Sequence, residues 1–120
     1  MILMDAARWF NLGKLDQLDG KQKLKFAYQG VDFVVFWVDV LQLPVCFVDR
    51  CSHQDVKLSD FGSIGDTHLV CLAHGARFQL PGGQVENFPA CDGLKRVDLQ
   101  VDSDVIYASL DDLSRFAFSG

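Results

Sequence analysis

Two short pairs of metal-ligand residues constrain this chain more than any other feature of its sequence. Cys51 and His53 form the first pair, and Cys71 and His74 form the second. Seventeen residues separate the pairs, and Gly75 directly follows the second one. Thiolate sulfur and neutral imidazole nitrogen are both metal ligands, and each pair offers one of each. A fold that brings both pairs to one metal site therefore presents two loops side by side.

The start of the chain and its cysteines favour metal ligation over disulfide pairing. Residues 1–10 carry Asp5 and Arg8 and lack the apolar run of a signal peptide, so we expect a cytoplasmic protein. The longest apolar stretch, residues 31–48, is interrupted by acidic and polar residues and cannot be a membrane helix. Cysteines inside the cell are more often metal ligands than disulfide partners. The four cysteines are Cys46, Cys51, Cys71 and Cys91.

The apolar residues recur in short runs that predict strands rather than helices. Residues 24–29 alternate between large apolar or aromatic side chains and small or polar ones, in the order Leu-Lys-Phe-Ala-Tyr-Gln. Residues 31–40 are rich in Val and Phe, and after a turn at 41–44 the apolar run returns at 45–48. We interpret these two runs as a hairpin that is buried on much of both faces. Fifteen Asp residues against the single Glu86 also favour turns over helix interiors.

Further short runs follow in the second half of the chain. Residues 68–72 predict a strand, and residues 97–101 and 105–110 predict a last hairpin. Residues 111–116 are expected to form one helical turn with Asp111 as its N-cap. The predicted fold class is therefore all-β, an antiparallel sandwich or open barrel with the Cys/His segments as loops at one end.

Length and charge narrow the class of protein. The 120 residues fit one domain with one core, so we expect residues 1–120 to form a single domain without a separate catalytic domain. The net charge of −5 argues against nucleic acid as a partner. An acidic surface suits docking to a protein that carries a basic patch.

Residues 51–78 resemble the Rieske motif, which is Cys-x-His, a spacer of similar length, and then Cys-x-x-His-Gly. The resemblance extends over residues 31–110 to the small Rieske ferredoxins of bacterial ring-hydroxylating dioxygenase systems. The matching segments outside the ligand pairs are Leu58-Ser59-Asp60, Arg77-Phe78 and Pro89-Ala90-Cys91. The resemblance implies an antiparallel β-sandwich base with a smaller cluster-binding subdomain, here at about residues 50–80.

The resemblance also implies one [2Fe–2S] cluster and the ligands that hold it. Cys51 and Cys71 would bind the inner iron, and His53 and His74 would bind the outer iron near the surface. Two neutral imidazoles in place of two thiolates remove two negative charges, so adding an electron becomes easier. Reduction potentials rise accordingly from about −400 mV for all-Cys plant-type clusters to the range of about −150 to +300 mV.

Neighbouring residues place the expected potential at the low end of this range, around −150 mV. High-potential respiratory Rieske proteins carry a disulfide between the loops, where this chain has Val56 and Ala73. They also carry a Ser and a Tyr whose hydroxyls donate to cluster sulfurs, where this chain has Ala76 and Phe78. Asp55 stands where many family members have glycine, and its charge would lower the potential further or shape docking.

We therefore expect a one-electron carrier that is not an enzyme and has no catalytic residues. The resemblance implies transfer from an NAD(P)H-dependent flavin reductase to a terminal ring-hydroxylating oxygenase, by a monomer that meets each partner in turn. Exchange between partners requires weak, short-lived contacts. The expected contact surface at the cluster tip is formed by Ser52, Gln54, Leu72, Ala73 and Gly75.

Three other functions fit parts of the sequence. The main alternative is a Rieske-type small subunit of a larger reductase such as nitrite reductase, although such chains often lack ligands that this one has. An isolated Rieske domain of an oxygenase catalytic subunit needs a further iron domain, for which 120 residues leave no room. Two Cys and two His also bind structural zinc, but the usual zinc finger has both Cys first and both His later.

The remaining candidate residues have ordinary structural interpretations. His68 lies three residues before Cys71, so on a strand it faces the other way. We expect Cys46 to be a buried small apolar residue, Cys91 to be structural and Trp37 to pack in the core.

Overall fold

The computed structural model describes residues 8–18, 23–50, 56–73, 75–86 and 93–119. Within these ranges the chain forms ten strands, two helices and one 3-10 turn, Leu15–Leu18. The strands are β1 (Trp9–Lys14), β2 (Lys23–Tyr28), β3 (Val31–Val38), β4 (Leu43–Val48), β5 (Gly62–Ile64), β6 (His68–Cys71), β7 (Ala76–Gln79), β8 (Arg96–Val97), β9 (Leu99–Asp102) and β10 (Val105–Ser109). The helices are α1 (Leu58–Phe61) and α2 (Leu110–Ser119). No helix in the described part of the chain is long and apolar enough to cross a membrane.

The strands form three antiparallel sheets. Four strands in the order β2-β3-β4-β8 make a central sheet, and three in the order β1-β10-β9 make an outer sheet. The small sheet β5-β6-β7 is a meander built from one short continuous part of the chain, directly after α1. The predicted all-β antiparallel fold is confirmed.

The central sheet is buried on both faces, as its run of Val and Phe predicts. Val34 and Phe36 of β3 pack on one side, and the alternating Phe33 and Val35 pack on the other. The first core contains Leu58, Leu69, Cys71, Ala76 and Phe78 from α1 and the small sheet. The second core contains Val97, Ile106, Ala108 and Leu113 from β8, β10 and α2. The central sheet is therefore a wall shared by two hydrophobic cores.

The run at residues 97–101 is two strands rather than the single strand predicted. Strand β8 pairs with β4 in the central sheet, whereas β9 pairs with β10 in the outer sheet. Asp98 lies between them, and its N–H donates to an Asp112 carboxylate oxygen at 2.9 Å. Its carbonyl accepts from the Ser109 N–H, also at 2.9 Å. These two bonds hold the backbone where it crosses from one sheet to the other.

Helix α2 is longer than the predicted single turn and begins after a different residue. It spans ten residues, and Ser109 directly precedes it. The Asp112 N–H donates to the Ser109 hydroxyl at 3.3 Å, which is the bond that an N-cap side chain makes with the third residue of a helix. The prediction of Asp111 as N-cap is wrong. Leu113 is fully buried in the second core, so tertiary packing stabilises the helix beyond one turn.

Candidate functional site

Of the four predicted ligands, Cys71 is the one that the described residues include. It is the last residue of β6 and is fully buried in the first core. Cys51, His53 and His74 lie outside the described residues. Convergence of the four ligands on one site therefore stays a prediction.

A tight turn carries the chain from Cys71 to the surface. The Gly75 N–H donates to the Cys71 carbonyl at 2.7 Å, so the backbone at Gly75 returns to within hydrogen-bond distance of Cys71. Gly75 has a φ of +74°, a left-handed conformation that residues with a Cβ rarely adopt, which explains the glycine after the second pair. Leu72 is 67% exposed although Cys71 beside it is fully buried. A group held by Cys71 is thus one residue away from the surface.

Two apolar residues of β7 face the same buried space as Cys71. Ala76 pairs directly with Cys71 between β7 and β6, and Phe78 lies two residues further along β7. All three side chains are fully buried in the first core. Neither Ala76 nor Phe78 has a hydroxyl, so these positions supply no side-chain donor to a group bound at Cys71. Val56 and Ala73, at the two loops, are partly buried against the same core.

A buried carboxylate directly precedes residues 50–58, the segment that contains the first predicted ligand pair and is called the first ligand loop below. Asp49 directly follows β4 and is 5% exposed. Its Oδ1 accepts from the Ser59 N–H and its Oδ2 accepts from the Ser59 hydroxyl, each at 2.7 Å. Ser59 is the second residue of α1, and Lys57, which precedes the helix, makes no side-chain cap. Asp49 therefore caps α1 from across the loop and satisfies an N–H that has no partner inside the helix.

Asp32 ties both ends of this loop to β3. Its carbonyl accepts from the Asp49 N–H at 2.9 Å, and its carboxylate accepts from Lys57 Nζ at 3.0 Å. The hydrogen bond to Asp32 raises the pKa of Lys57, because it stabilises the charged ammonium. Lys23 Nζ, at the start of β2, donates to the Ser59 carbonyl. The chain on both sides of the first ligand pair is thus fastened to the central sheet.

Helix α1 connects the first ligand loop with the second. The carbonyl of Phe61, its last residue, accepts from the Leu72 N–H at 2.8 Å. Gly62 pairs with Cys71 between β5 and β6, and a Cβ at Gly62 would lie 2.6 Å from the Leu58 carbonyl oxygen. Glycine is therefore required where the chain leaves α1 beside Cys71. Phe61 and Leu72, which are 40% and 67% exposed, form an exposed apolar pair next to the second loop.

The roles of Asp49 and of the Ser59 hydroxyl are not predicted from the sequence. A signal exists, because Asp and Ser are residue types whose side chains pair with backbone N–H groups at helix starts. Asp49 also precedes the first ligand pair and Ser59 follows it, so a contact between them would close the intervening loop. Periodicity, however, does not indicate that two residues ten positions apart meet across a loop.

Cys46 has the structural role expected of it. It is fully buried in β4 and packs in the second core, on the side of the central sheet away from Cys71. Burial, reinforced by the nearby Asp112 charge, raises the pKa of the Cys46 thiol, so this thiol stays protonated and unreactive at neutral pH. Cys91 and Asp55 lie outside the described residues.

His68 faces away from Cys71, as the strand geometry predicts. Burial alternates along β6, with Leu69 and Cys71 buried and His68 partly exposed. The imidazole is hydrogen-bonded to the Thr67 hydroxyl at 2.9 Å and to the Glu86 carboxylate. His68 is therefore part of a surface hydrogen-bond network on the other face of the small sheet.

The fold agrees with that of known proteins. The family model described as Rieske [2Fe-2S] domain matches residues 8–98, which is more than half of the chain. The ferredoxin of carbazole 1,9a-dioxygenase from Nocardioides aromaticivorans IC177 has a TM-score of 0.73 and 21% identity, over 85% of this chain and 97% of that one. A ferredoxin of Sphingomonas yanoikuyae B1 has a TM-score of 0.72 and 18% identity, over 84% and 97%. A structure of reduced oxygenase with oxidized ferredoxin in carbazole 1,9a-dioxygenase contains a chain with a TM-score of 0.73 and 19% identity, over 84% and 92%. At these identities the solved structures share the fold.

Proposed function

The chain belongs to the Rieske [2Fe–2S] domain family, which implies one [2Fe–2S] cluster, and on this premise we propose that it is a one-electron carrier rather than an enzyme. In this proposal residues 1–120 are one Rieske domain whose cluster-binding part spans about residues 50–80. Electrons come from an NAD(P)H-dependent flavin reductase and go to a terminal ring-hydroxylating oxygenase. The carbazole 1,9a-dioxygenase ferredoxins of the same fold support an oxygenase as the partner.

The observation that carries the proposal is the contrast between Cys71 and Leu72. The side chain of Cys71 is fully buried, whereas that of the next residue is 67% exposed. An apolar shell controls the access of solvent to a metal group and so tunes its potential. The first core shields a redox group bound at Cys71 from water. A partner that docks on the exposed Leu72 is nevertheless only one residue away from Cys71. When bound, the cluster supplies one-electron redox chemistry at this position.

The donor set of the chain fits this cofactor. We propose Cys51 and Cys71 as the ligands of one iron, and His53 and His74 as the ligands of the other. Two thiolates and two imidazoles are the ligand set of a Rieske centre. The apolar residues of β7 opposite Cys71 keep water from the thiolate, and the glycine after the second pair allows the sharp return of the loop.

The exposed apolar pair Phe61 and Leu72 is the surface that we propose for partner contact. Both residues are at the second ligand loop, and one hydrogen bond between their backbones holds them together. Two exposed apolar side chains give a small contact that a partner can form and leave quickly. The net charge of −5 steers the chain towards a basic patch on either partner.

Iron and acid-labile sulfide analysis of anaerobically purified protein tests the cluster and its ligands. We expect about two iron and two sulfide per chain, with a red-brown colour that dithionite bleaches. Cys71→Ala and His74→Gln should lose the iron. The matched variants Cys46→Ala and His68→Gln remove the same residue types from structural positions and should keep it. A colourless chain that holds zinc, and no cluster after anaerobic reconstitution, would refute the proposal.

Rapid-mixing kinetics test the carrier role. The reduced flavoprotein reductase of a ring-hydroxylating system should reduce this chain, and the oxygenase of the same system should reoxidise it. Leu72→Asp should slow both transfers while the visible spectrum stays unchanged. Val101→Asp is the matched control, because Val101 is also an exposed apolar residue but lies in the outer sheet. Equal rates for the two variants would exclude Leu72 from the contact surface.

A further inference from the structure

We propose that Asp49 and Ser59 form a clamp that holds the first ligand loop in its metal-binding shape. The clamp is defined as the two hydrogen bonds from Ser59 to the Asp49 carboxylate. Asp49 is a positioning residue in this account, because it acts on Cys51 and His53 through the backbone that carries them. The inference rests on the proposed function, since it concerns the loop that would hold the cluster.

Both carboxylate oxygens of Asp49 are engaged in the clamp. Each accepts one hydrogen bond at 2.7 Å, and the two residues are 5% and 3% exposed. Within the described ranges, no buried side-chain nitrogen or oxygen lacks a hydrogen-bond partner. Breaking either bond would leave part of a buried charge without a donor, which is costly where water does not replace the lost bond. The clamp therefore stays closed in the folded protein.

A second link between the same segments is exposed and serves as an internal comparison. Lys57 and Asp32 form an ion pair at 3.0 Å, and both side chains are 53% exposed. Exposed ion pairs contribute little because water and salt screen them. Burial thus distinguishes the clamp from the ion pair, although both fasten the end of the first loop.

The clamp closes residues 50–58 into a short loop that contains the first ligand pair. Fixing both ends of a loop reduces the conformations that it samples, so less entropy is lost when its ligands bind metal. Groups that orient metal ligands without touching the metal commonly change metal affinity by about tenfold to hundredfold. We therefore expect the clamp to affect how tightly the cluster is retained.

Helix α1 transmits the clamp to the second loop. Ser59 is the second residue of α1, and the carbonyl of Phe61 at its other end accepts from the Leu72 N–H. Ser59 and Phe61 are only two positions apart, and both lie in α1, which spans Leu58–Phe61. Opening the clamp should therefore disturb both ligand loops rather than the first alone.

The test measures how fast anaerobically prepared protein loses its cluster to an iron chelator, as decay of visible absorption. Asp49→Ala removes the clamp, and Ser59→Ala removes one of its two bonds. Asp49→Asn keeps the shape without the charge, because a carboxamide can accept from the Ser59 N–H and donate to its hydroxyl. Lys57→Gln breaks the exposed ion pair. Ile106→Val trims the second core and controls for a general loss of stability.

We expect Asp49→Ala to lose the cluster about tenfold faster than wild type or more, and Ser59→Ala to show a smaller acceleration. Asp49→Asn, Lys57→Gln and Ile106→Val should stay close to the wild-type rate. The EPR spectrum of the dithionite-reduced protein should change in Asp49→Ala and recover in Asp49→Asn. Hydrogen exchange of the Ser59 amide should accelerate in Asp49→Ala while the amides of β10 stay protected.

Equal rates of cluster loss in Asp49→Ala and Ile106→Val would overturn the clamp. An Asp49→Asn variant that behaves like Asp49→Ala would overturn it too, because charge rather than position would then be responsible. If Asp49→Ala does not fold, Ser59→Ala replaces it in this comparison. Equal rates of cluster loss in Ser59→Ala and Ile106→Val would then overturn the clamp. A wild-type chain without any cluster would instead refute the proposed function, so the two failures are distinguishable.

Discussion

A hydroxyl added beside Cys71 tests how the surroundings of this residue set the reduction potential. Ala76 pairs with Cys71 across β6 and β7, and both side chains are fully buried. Ala76→Ser places one O–H donor in this space with little change in volume. Phe78→Tyr adds a second donor two residues further along the same buried face of β7.

The added hydroxyls should raise the potential, because a donor stabilises the reduced, more negative state more than the oxidised state. A hydrogen bond contributes about 1.5–3 kcal/mol with a charged partner and about 0.5–1.5 kcal/mol with a neutral one, so the two states differ by about 1 kcal/mol. A tenfold change in a one-electron equilibrium is about 1.4 kcal/mol or about 59 mV. We therefore expect a rise of about 40 mV for Ala76→Ser and of about 80 mV for the double variant.

A redox titration followed by visible absorption measures these potentials. Val70→Thr is the control, because it adds a hydroxyl to the same sheet on the face of β6 opposite Cys71. This variant should keep the wild-type potential. If Ala76→Ser and the double variant also keep the wild-type potential, with the cluster intact, the reasoning from missing hydroxyls is refuted.

Three further predictions concern the free energy of unfolding. Burial raises the pKa of the Cys46 thiol above the ordinary thiol value of 9.0. At pH values below 9.0 the thiol is protonated in both the folded and the unfolded protein, so it does not make the free energy of unfolding depend on pH. Above that pH the unfolded thiol ionises while the folded one keeps its proton, so stability should fall by about 1.4 kcal/mol per pH unit. Urea titrations should show that Cys46→Ala removes this slope, and an unchanged slope would contradict it. Leu113→Ala should lower the unfolding free energy by about 2–5 kcal/mol, because Leu113 is fully buried; a loss below about 1 kcal/mol would show that α2 is not held by this side chain. Ser109→Ala should cost about 1 kcal/mol through the lost cap, and Ser109→Asp should restore most of it if the cap is the cause.

Short runs of apolar residues predict most of the described strands, and β2 also shows an alternation of large apolar residues with small or polar ones. Side chains on a strand alternate between two faces, so the burial of β2 follows its sequence pattern residue by residue. The division between β8 and β9 has no such signal. Val97 and Leu99 are both apolar and two residues apart, which fits one continuous strand equally well. The change of sheet at Asp98 depends on contacts with Ser109 and α2 that lie more than ten residues away.

The spacing of the ligand pairs predicts the chemistry of the site but not the contacts that support it. The clamp joins residues ten positions apart, and the Lys57–Asp32 ion pair joins residues twenty-five apart. Such pairs depend on how β3, β4 and α1 pack together, which a local pattern does not specify. The start of α2 also depends on packing. Ser109 and Asp111 are both favourable N-cap residues, and the burial of Leu113 favours the earlier start after Ser109.

The order in which the chain supplies its sheets affects when the protein can take up its cofactor during synthesis. The β3–β4 hairpin, α1 and the small sheet follow one another within residues 31–79. The outer sheet instead joins the two ends of the chain, because Trp9 of β1 lies opposite Ser109 of β10. Contacts between near neighbours in sequence close smaller loops and form sooner than distant ones. We therefore expect the ligand-bearing segment to take shape on the nascent chain, so that metal loading need not wait until β10 has left the ribosome.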